Sequence, residues 1–187
     1  MITAILGPMY SGKSTMLYQK MERYYYAGKS IALIRPKLDS RGYFSHSIEN
    51  RSVERIIKAS SKNKEIRVDE FTTTLCMELR AYDAVFIDEY FMIKGCSLEA
   101  KMSQSNQNVF FAGLIASSEN KLFPETIELL PYCDEIIKLN GVCMICGSQI
   151  GNYSMYNETK TQEIDIGDTN KYKCVCRECY EREKSKL

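Results

Sequence analysis

The sequence predicts an α/β fold, a mainly parallel sheet flanked by helices and followed by a small cysteine-stapled C-terminal domain. Three features predict it. Short apolar runs of β type alternate with helix-period segments through residues 1–140. A glycine-bracketed loop ending in Lys13-Ser14 lies between the first apolar run and the first helical segment. Two Cys-x-x-Cys pairs fall after residue 140.

The strands come first. Ile2 to Leu6, Ile31 to Ile34, Ala84 to Ile87, Val109 to Ala112 and Glu135 to Leu139 are short apolar runs. Such near-continuous runs suit strands buried on both faces, as in a parallel sheet. Helical spacing fills the intervals. Leu17, Met21 and Tyr24 repeat at i, i+4 and i+7, with Gly28 as a C-terminal stop. Leu75 with Leu79, Leu98 with Met102, and Ile127 with Leu130 mark three more helices. Strand alternating with helix requires crossover connections and hence an α/β sheet. Residues 51–67 carry Arg51, Arg55, Lys58, Lys62, Lys64 and Arg67, diluted by Glu54 and Glu65. Without interleaved aromatics they read as a solvated helix and loop rather than a nucleic-acid site.

From Gly141 the texture becomes polar and turn-rich, which sets the domains at 1–140 and 141–187. The second segment has too little apolar surface to fold unaided and needs a staple. At 187 residues the chain can bury one core with a small appendage. Its 25 basic and 24 acidic residues leave a formal charge of +1, with no long-range attraction for nucleic acid or a membrane surface. No apolar run approaches the roughly 20 residues needed to span a bilayer. The opening Met1-Ile2-Thr3-Ala4 has neither a basic region nor a cleavage-type segment, so a cytoplasmic enzyme is expected.

Gly7-Pro8-Met9-Tyr10-Ser11-Gly12-Lys13-Ser14 fits G-x-x-x-x-G-K-S, with a strand before it and a helix after. Its glycines let backbone N–H groups converge on phosphate oxygens, and the helix N-terminus adds partial positive charge. Lys13 would reach the β- and γ-phosphates of ATP, and the Ser14 hydroxyl would ligate Mg2+. The first domain is therefore P-loop NTPase-like. Val85-Phe86-Ile87 then runs into Asp88-Glu89. Asp88, ending a buried strand, suits the Mg2+ ion. Glu89 suits a base that takes a proton from an attacking alcohol, or equally a residue that orients water in an ATPase.

Eight cysteines in such a chain argue for metal binding or free thiols rather than disulfides. Cys143 with Cys146 and Cys176 with Cys179 form two knuckle-like pairs, the usual way to build a closed tetrahedral Zn2+ site. Such a site is structural and pins both ends of residues 147–175. Cys174 competes with Cys176 in register, and the Cys-x-x-Cys spacing favours Cys176.

Together these features resemble the cellular, bacterial and large-DNA-virus thymidine kinase family. The similarity runs from Gly7 through Ser14-Thr15 to Cys176-Arg177-Glu178-Cys179-Tyr180. It includes Asp39-Ser40-Arg41, Ser45-His46, and the block from Lys121-Leu122-Phe123 through Leu129-Leu130-Pro131 to Val142-Cys143. The resemblance implies a nucleotide-binding domain, a zinc domain whose lasso loop closes over the nucleoside, a homotetramer, and dTTP as a feedback ligand. It gives Glu89 the role of base toward the 5′-hydroxyl and Arg41 that of a phosphate-charge stabiliser. Asp39 would lie by the sugar or the metal waters. Ile166-Gly167-Asp168 and Tyr172 fall where the family grips base and deoxyribose, and Phe123 matches a base-pocket aromatic. Simple packing is the other reading of Phe123 and Tyr172. His46, the single histidine, reads as an exposed loop residue.

The chain also departs from the family pattern. Tyr90, Phe91 and Met92 follow Asp-Glu where relatives have a small or polar residue and then an aromatic. Ile115 replaces a polar residue, Ser118 replaces the base-stacking Phe, and Asp168 replaces the second lasso glycine. Phe91 or Met92 would refill the space at Ser118; losing the stack costs on the order of 1 kcal/mol. The resulting expectation is ATP-dependent phosphorylation of thymidine. Three alternatives stand beside it: a kinase for another deoxypyrimidine nucleoside, a nucleotide-binding regulatory module without turnover, and a nucleic-acid-dependent ATPase. The near-zero charge argues against the last.

Overall fold

β1 (Ile2–Leu6) and α1 (Lys13–Tyr26) begin the chain, followed by β2 (Ile31–Pro36), β3 (Tyr43–Ser45), β4 (Ile48–Glu49), α2 (Asn50–Lys58), β5 (Lys64–Val68) and α3 (Thr73–Leu79). Next come β6 (Ala84–Asp88), α4 (Ser97–Met102), β7 (Asn108–Gly113), α5 (Pro124–Leu129) and β8 (Glu135–Lys138). β9 (Tyr153–Tyr156), β10 (Tyr172–Val175) and α6 (Arg177–Lys184) complete the order. The computed structural model describes residues 1–39, 43–45, 48–156 and 171–185.

Six strands form one parallel sheet in the order β5-β2-β6-β7-β1-β8. Alternation along each strand decides which helix a side chain meets. Leu6, Ile34, Val85, Ile87, Val109 and Phe111 join Cys76, Leu79, Ala100 and Leu129 of α3, α4 and α5 in one core. Ile5, Ile31, Leu33, Phe86 and Phe110 join Leu17 and Met21 of α1 and Val53 and Ile56 of α2 in another. With both faces covered, the inner strands can be apolar without interruption, which is why they were legible as runs. Each such side chain contributes roughly 1.5–3 kcal/mol of burial free energy.

The expectations fail at the two sheet edges. Residues 64–67, the end of the stretch read as a solvated helix and loop, instead belong to β5, which pairs with β2 from Ala32↔Lys64 to Pro36↔Val68. Only Ile66 and Val68 pack on a core, so charges interrupt the strand; a charged edge also discourages pairing with another chain. At the other edge β8 is not buried on both faces: Ile136 is 53% exposed. Among the described residues it pairs only with β1, and within the strand only Ile137 packs against a core.

Because all six strands run parallel, their carboxyl ends share one edge. Leu6 opens there into the glycine loop, Asp88 into Glu89, and Gly113 into residues 114–123. Open α/β sheets bind their ligands along that edge. The C-terminal elements have a smaller core of their own, in which Cys143, Val175, Cys179 and Tyr180 are packed by Tyr153 and Met155. β9 and β10 are antiparallel, from Tyr156↔Tyr172 to Tyr153↔Val175. No helix among the described residues is long and apolar enough to cross a membrane.

Candidate active site and cysteine centre

The chain leaves β1 at Leu6, turns through Gly7–Gly12 and enters α1 at Lys13. Tyr10 and Gly12 take left-handed backbone, with φ of 62° and 83°. Gly7 is required by close approach, since a Cβ there would lie 2.5 Å from Ser11 Oγ and 2.7 Å from the Leu139 carbonyl. Ser11 Oγ and Lys13 Nζ both donate to the Pro8 carbonyl, at 2.8 Å and 2.6 Å. The buried Lys13 ammonium is thus folded across the loop, beside the helix N-terminus that begins with Ser14 and Thr15. Cation and aligned N–H groups together make an anion site. The Met9 N–H donates to Ser154 Oγ at 2.9 Å, tying the loop to β9.

Ser14 Oγ donates to Asp88 Oδ1 at 3.0 Å. Asp88 is 1% exposed and ends β6, so the strand carries a carboxylate directly to the loop. A hydroxyl and a carboxylate oxygen are the hard donors a Mg2+ ion takes. Glu89 follows at φ 51° and ψ 44°, a left-handed conformation that costs a side-chain-bearing residue roughly 1–2 kcal/mol. Strain of this kind gathers at functional sites. It turns the half-buried Glu89 sharply off the strand and into the short helical turn Tyr90–Met92.

Asp39 is buried, and its carboxylate accepts from Arg35 Nη2 at 3.0 Å. Arg67 donates to the Asp39 carbonyl at 2.7 Å and approaches Glu65 at 3.2 Å. Asp39 is therefore held in an ionic cluster at the carboxyl ends of β2 and β5. Arg41, Ser40 and His46 lie outside the described residues.

Of the residues expected around the nucleoside, Phe91 and Phe123 lie together, their ring centroids 4.6 Å apart. Phe91 is buried beside Tyr90, and Met92 and Ile115 pack at the margin of the same core. Gly113 leaves this cluster its room, as a Cβ there would meet the Tyr90 ring at 2.7 Å. Ser118 is half-buried in the loop after β7. Tyr172 is buried in β10, edge-on to Tyr156 at 4.9 Å. Ile166, Gly167 and Asp168 lie outside the described residues.

Cys143, Cys146, Cys176 and Cys179 converge, with all four sulfurs within 4.8 Å of one another. Cys146 Sγ and Cys176 Sγ are 3.7 Å apart. A tetrahedron with Zn–S of about 2.3 Å has edges of about 3.8 Å, so the donor set fits a zinc ion. Burial raises the Cys143 thiol pKa, but the backbone N–H groups of Cys146, Cys176 and Ile145 outweigh it and bring it down to about 6. Burial pushes Cys179 up to about 12. A bound cation would favour the thiolate at every ligand. Cys174 is outside this group. Its sulfur is wedged between Gly141 and Gly151, where a Cβ on either glycine would approach to 2.6 Å.

Arg35 and Ser154 gave no signal in the sequence, and Tyr90 and Tyr180 stood there only as members of the family-like segments. Each makes a contact across the fold, as Arg35 does with Glu65 at 3.6 Å and Ser154 with Met9, and one sequence carries no register for such contacts.

A family model described as thymidine kinase matches residues 1–180. The thymidine kinase of Pseudothermotoga lettingae is 32% identical over 187 residues, covering 99% of this chain and 97% of that protein. That of Amsacta moorei entomopoxvirus is 30% identical, covering 96% and 97%. That of Sheeppox virus is 30% identical, covering 96% of each.

Proposed function

Because the chain belongs to the thymidine kinase family, we propose that it transfers the γ-phosphate of ATP to the 5′-hydroxyl of thymidine, giving thymidine monophosphate and ADP. The observation that carries this reading is the 3.0 Å contact between Ser14 and Asp88, which joins the phosphate loop to the strand end bearing Glu89.

Ser14 and Asp88 would hold the Mg2+ that accompanies ATP, an ion that neutralises charge on the β- and γ-phosphate oxygens when bound. Lys13 leaves the Pro8 carbonyl for those oxygens, and the backbone of Gly7–Thr15 cradles them. Glu89 accepts the proton of the 5′-hydroxyl as that oxygen bonds to the γ-phosphorus and the bond to the bridging oxygen of ADP breaks. Arg41 stabilises phosphate charge, and Asp39 orders the surroundings of the sugar and metal waters. Phe91, Met92, Ser118, Phe123 and Tyr172 line the nucleoside, with Ile166, Gly167 and Asp168 closing over it. Cys143, Cys146, Cys176 and Cys179 would hold a zinc ion that pins the 141–187 domain to itself. The family resemblance supports a cytoplasmic homotetramer with dTTP as a feedback ligand.

A second reading keeps the chemistry and changes the base. Ser118 offers no aromatic face, which favours a site more tolerant of deoxyuridine or a modified pyrimidine. Radiolabelled phosphate transfer from ATP to a panel of separate nucleosides tests both. Transfer to thymidine that disappears in Glu89→Gln is the expected result. ATP hydrolysis indifferent to every nucleoside would remove the assignment.

A further inference from the structure

The loop after β7 is gripped by tyrosine hydroxyls at both its root and its tip. At the root, Tyr90 Oη donates to the Leu114 carbonyl at 3.0 Å and lies 2.8 Å from Thr126 Oγ1. At the tip, Tyr180 Oη donates to the Ser118 carbonyl at 3.1 Å. Between these points the loop is braced internally. Ala116 bridges to Leu122, the Ser117 N–H donates to Lys121 O at 2.8 Å, and the Asn120 N–H donates to Ser117 O at 2.9 Å. The tip is therefore a small unit whose orientation depends on what holds it from outside.

Tyr180 is well suited to hold it. The residue follows Cys179 directly in α6 and is 7% exposed. Its ring stacks on Tyr153 of β9 at 4.7 Å and 19°, which fixes the direction of the hydroxyl. The loop it grips leaves the carboxyl end of β7, where Ala112 is the register partner of Asp88. Its far end, Phe123, packs on Phe91, two residues beyond Glu89. Loop 114–123 is thus a wall of the crevice along the ligand-binding edge of the sheet.

We propose that Tyr180 is a positioning residue that transmits the geometry of the four-cysteine centre to the nucleoside side of the active site. It does so by holding the Ser118 carbonyl and, with it, the tip of loop 114–123. What the loop binds rests on the kinase reading above; the tether rests on the hydrogen bond and the stack. Ser118 takes part through its backbone, so the device is indifferent to the missing aromatic side chain at that position.

Tyr180→Phe removes one oxygen and keeps the stack. In the full-length, zinc-loaded protein the KM for thymidine is expected to rise roughly three- to tenfold, the effect of one neutral hydrogen bond. The kcat at saturating thymidine, the KM for ATP and the zinc content should stay at wild-type values. Amide hydrogen exchange should quicken at residues 117–121 and not in β1 or β7. Unchanged exchange with unchanged KM would overturn the tether and leave the kinase reading standing. Quicker exchange with an unchanged KM would overturn the loop's place in the nucleoside site. Loss of zinc or of the folded state would make Tyr180 a structural residue and end the proposal. If the wild-type protein phosphorylates no nucleoside, the kinase reading fails and takes this proposal with it, whatever the exchange shows.

Discussion

The Ser14 hydroxyl donates to Asp88 Oδ1 across 3.0 Å, so the first turn of α1 meets the last residue of β6 at the mouth of the phosphate loop. Asp88→Asn keeps an oxygen for that hydroxyl and removes the charge. Folding should survive, kcat should fall by roughly a hundredfold or more, and half-saturation by Mg2+ should move to higher concentration. Steady-state rates across a Mg2+ series, with a melting curve as control, measure all three.

Two glycines in the same loop should respond differently to a methyl group. Gly7→Ala drives a Cβ to 2.7 Å from the Leu139 carbonyl, whose strand is hydrogen-bonded to Leu6 and cannot withdraw freely. A loss of about 1–3 kcal/mol and a loop that no longer binds ATP are expected. Gly12→Ala meets no atom within 4 Å, but its φ of 83° strains an L side chain by about 1–2 kcal/mol. Urea unfolding and nucleotide titration of the two variants separate crowding from strain.

Metal analysis should find about one zinc per chain. Cys143→Ser is expected to lose it and to lower the melting temperature, because the small core of Val175, Cys179 and Tyr180 is built around the ligands. Cys174→Ala should keep its zinc, since that sulfur fills the space between Gly141 and Gly151. Equal zinc loss in both variants would contradict the ligand set.

Glu99 supplies a pH dependence unrelated to the active site. It is fully buried on α4, beside the Cys76 thiol. Burial lifts its pKa from 4.5 to about 7, opposed by the Cys76 thiol and Arg80. The fold therefore prefers the protonated acid. Its contribution is complete below the unfolded value of 4.5 and erodes as pH rises to about 7, by on the order of 3 kcal/mol. Glu99→Gln should remove this slope. Urea-unfolding free energies at pH 5 and pH 8 should shift in favour of the variant at the higher pH.

The parts of the site that could be read in advance are those made by neighbours in sequence. The eight residues from Gly7 to Ser14 bring their own turn, and Cys143 with Cys146 or Cys176 with Cys179 bring two ligands each. The inner strands were equally plain, because burial on both faces requires unbroken apolar runs. β5 was hidden for the converse reason: an edge strand tolerates Lys64, Glu65 and Arg67 among its core-facing residues.

Local spacing thus determined the α/β class, the phosphate loop, the acidic pair and the four cysteines that come together. Tertiary structure alone decided that Ser154 holds the Met9 amide, that Arg35 of β2 meets Glu65 of β5, and that Tyr180 reaches Ser118. The physical reason is the range of the forces involved. Backbone turns and knuckles are set by a few consecutive residues, whereas a hydrogen bond between Tyr180 and Ser118 exists only after packing has brought distant segments within about 3 Å.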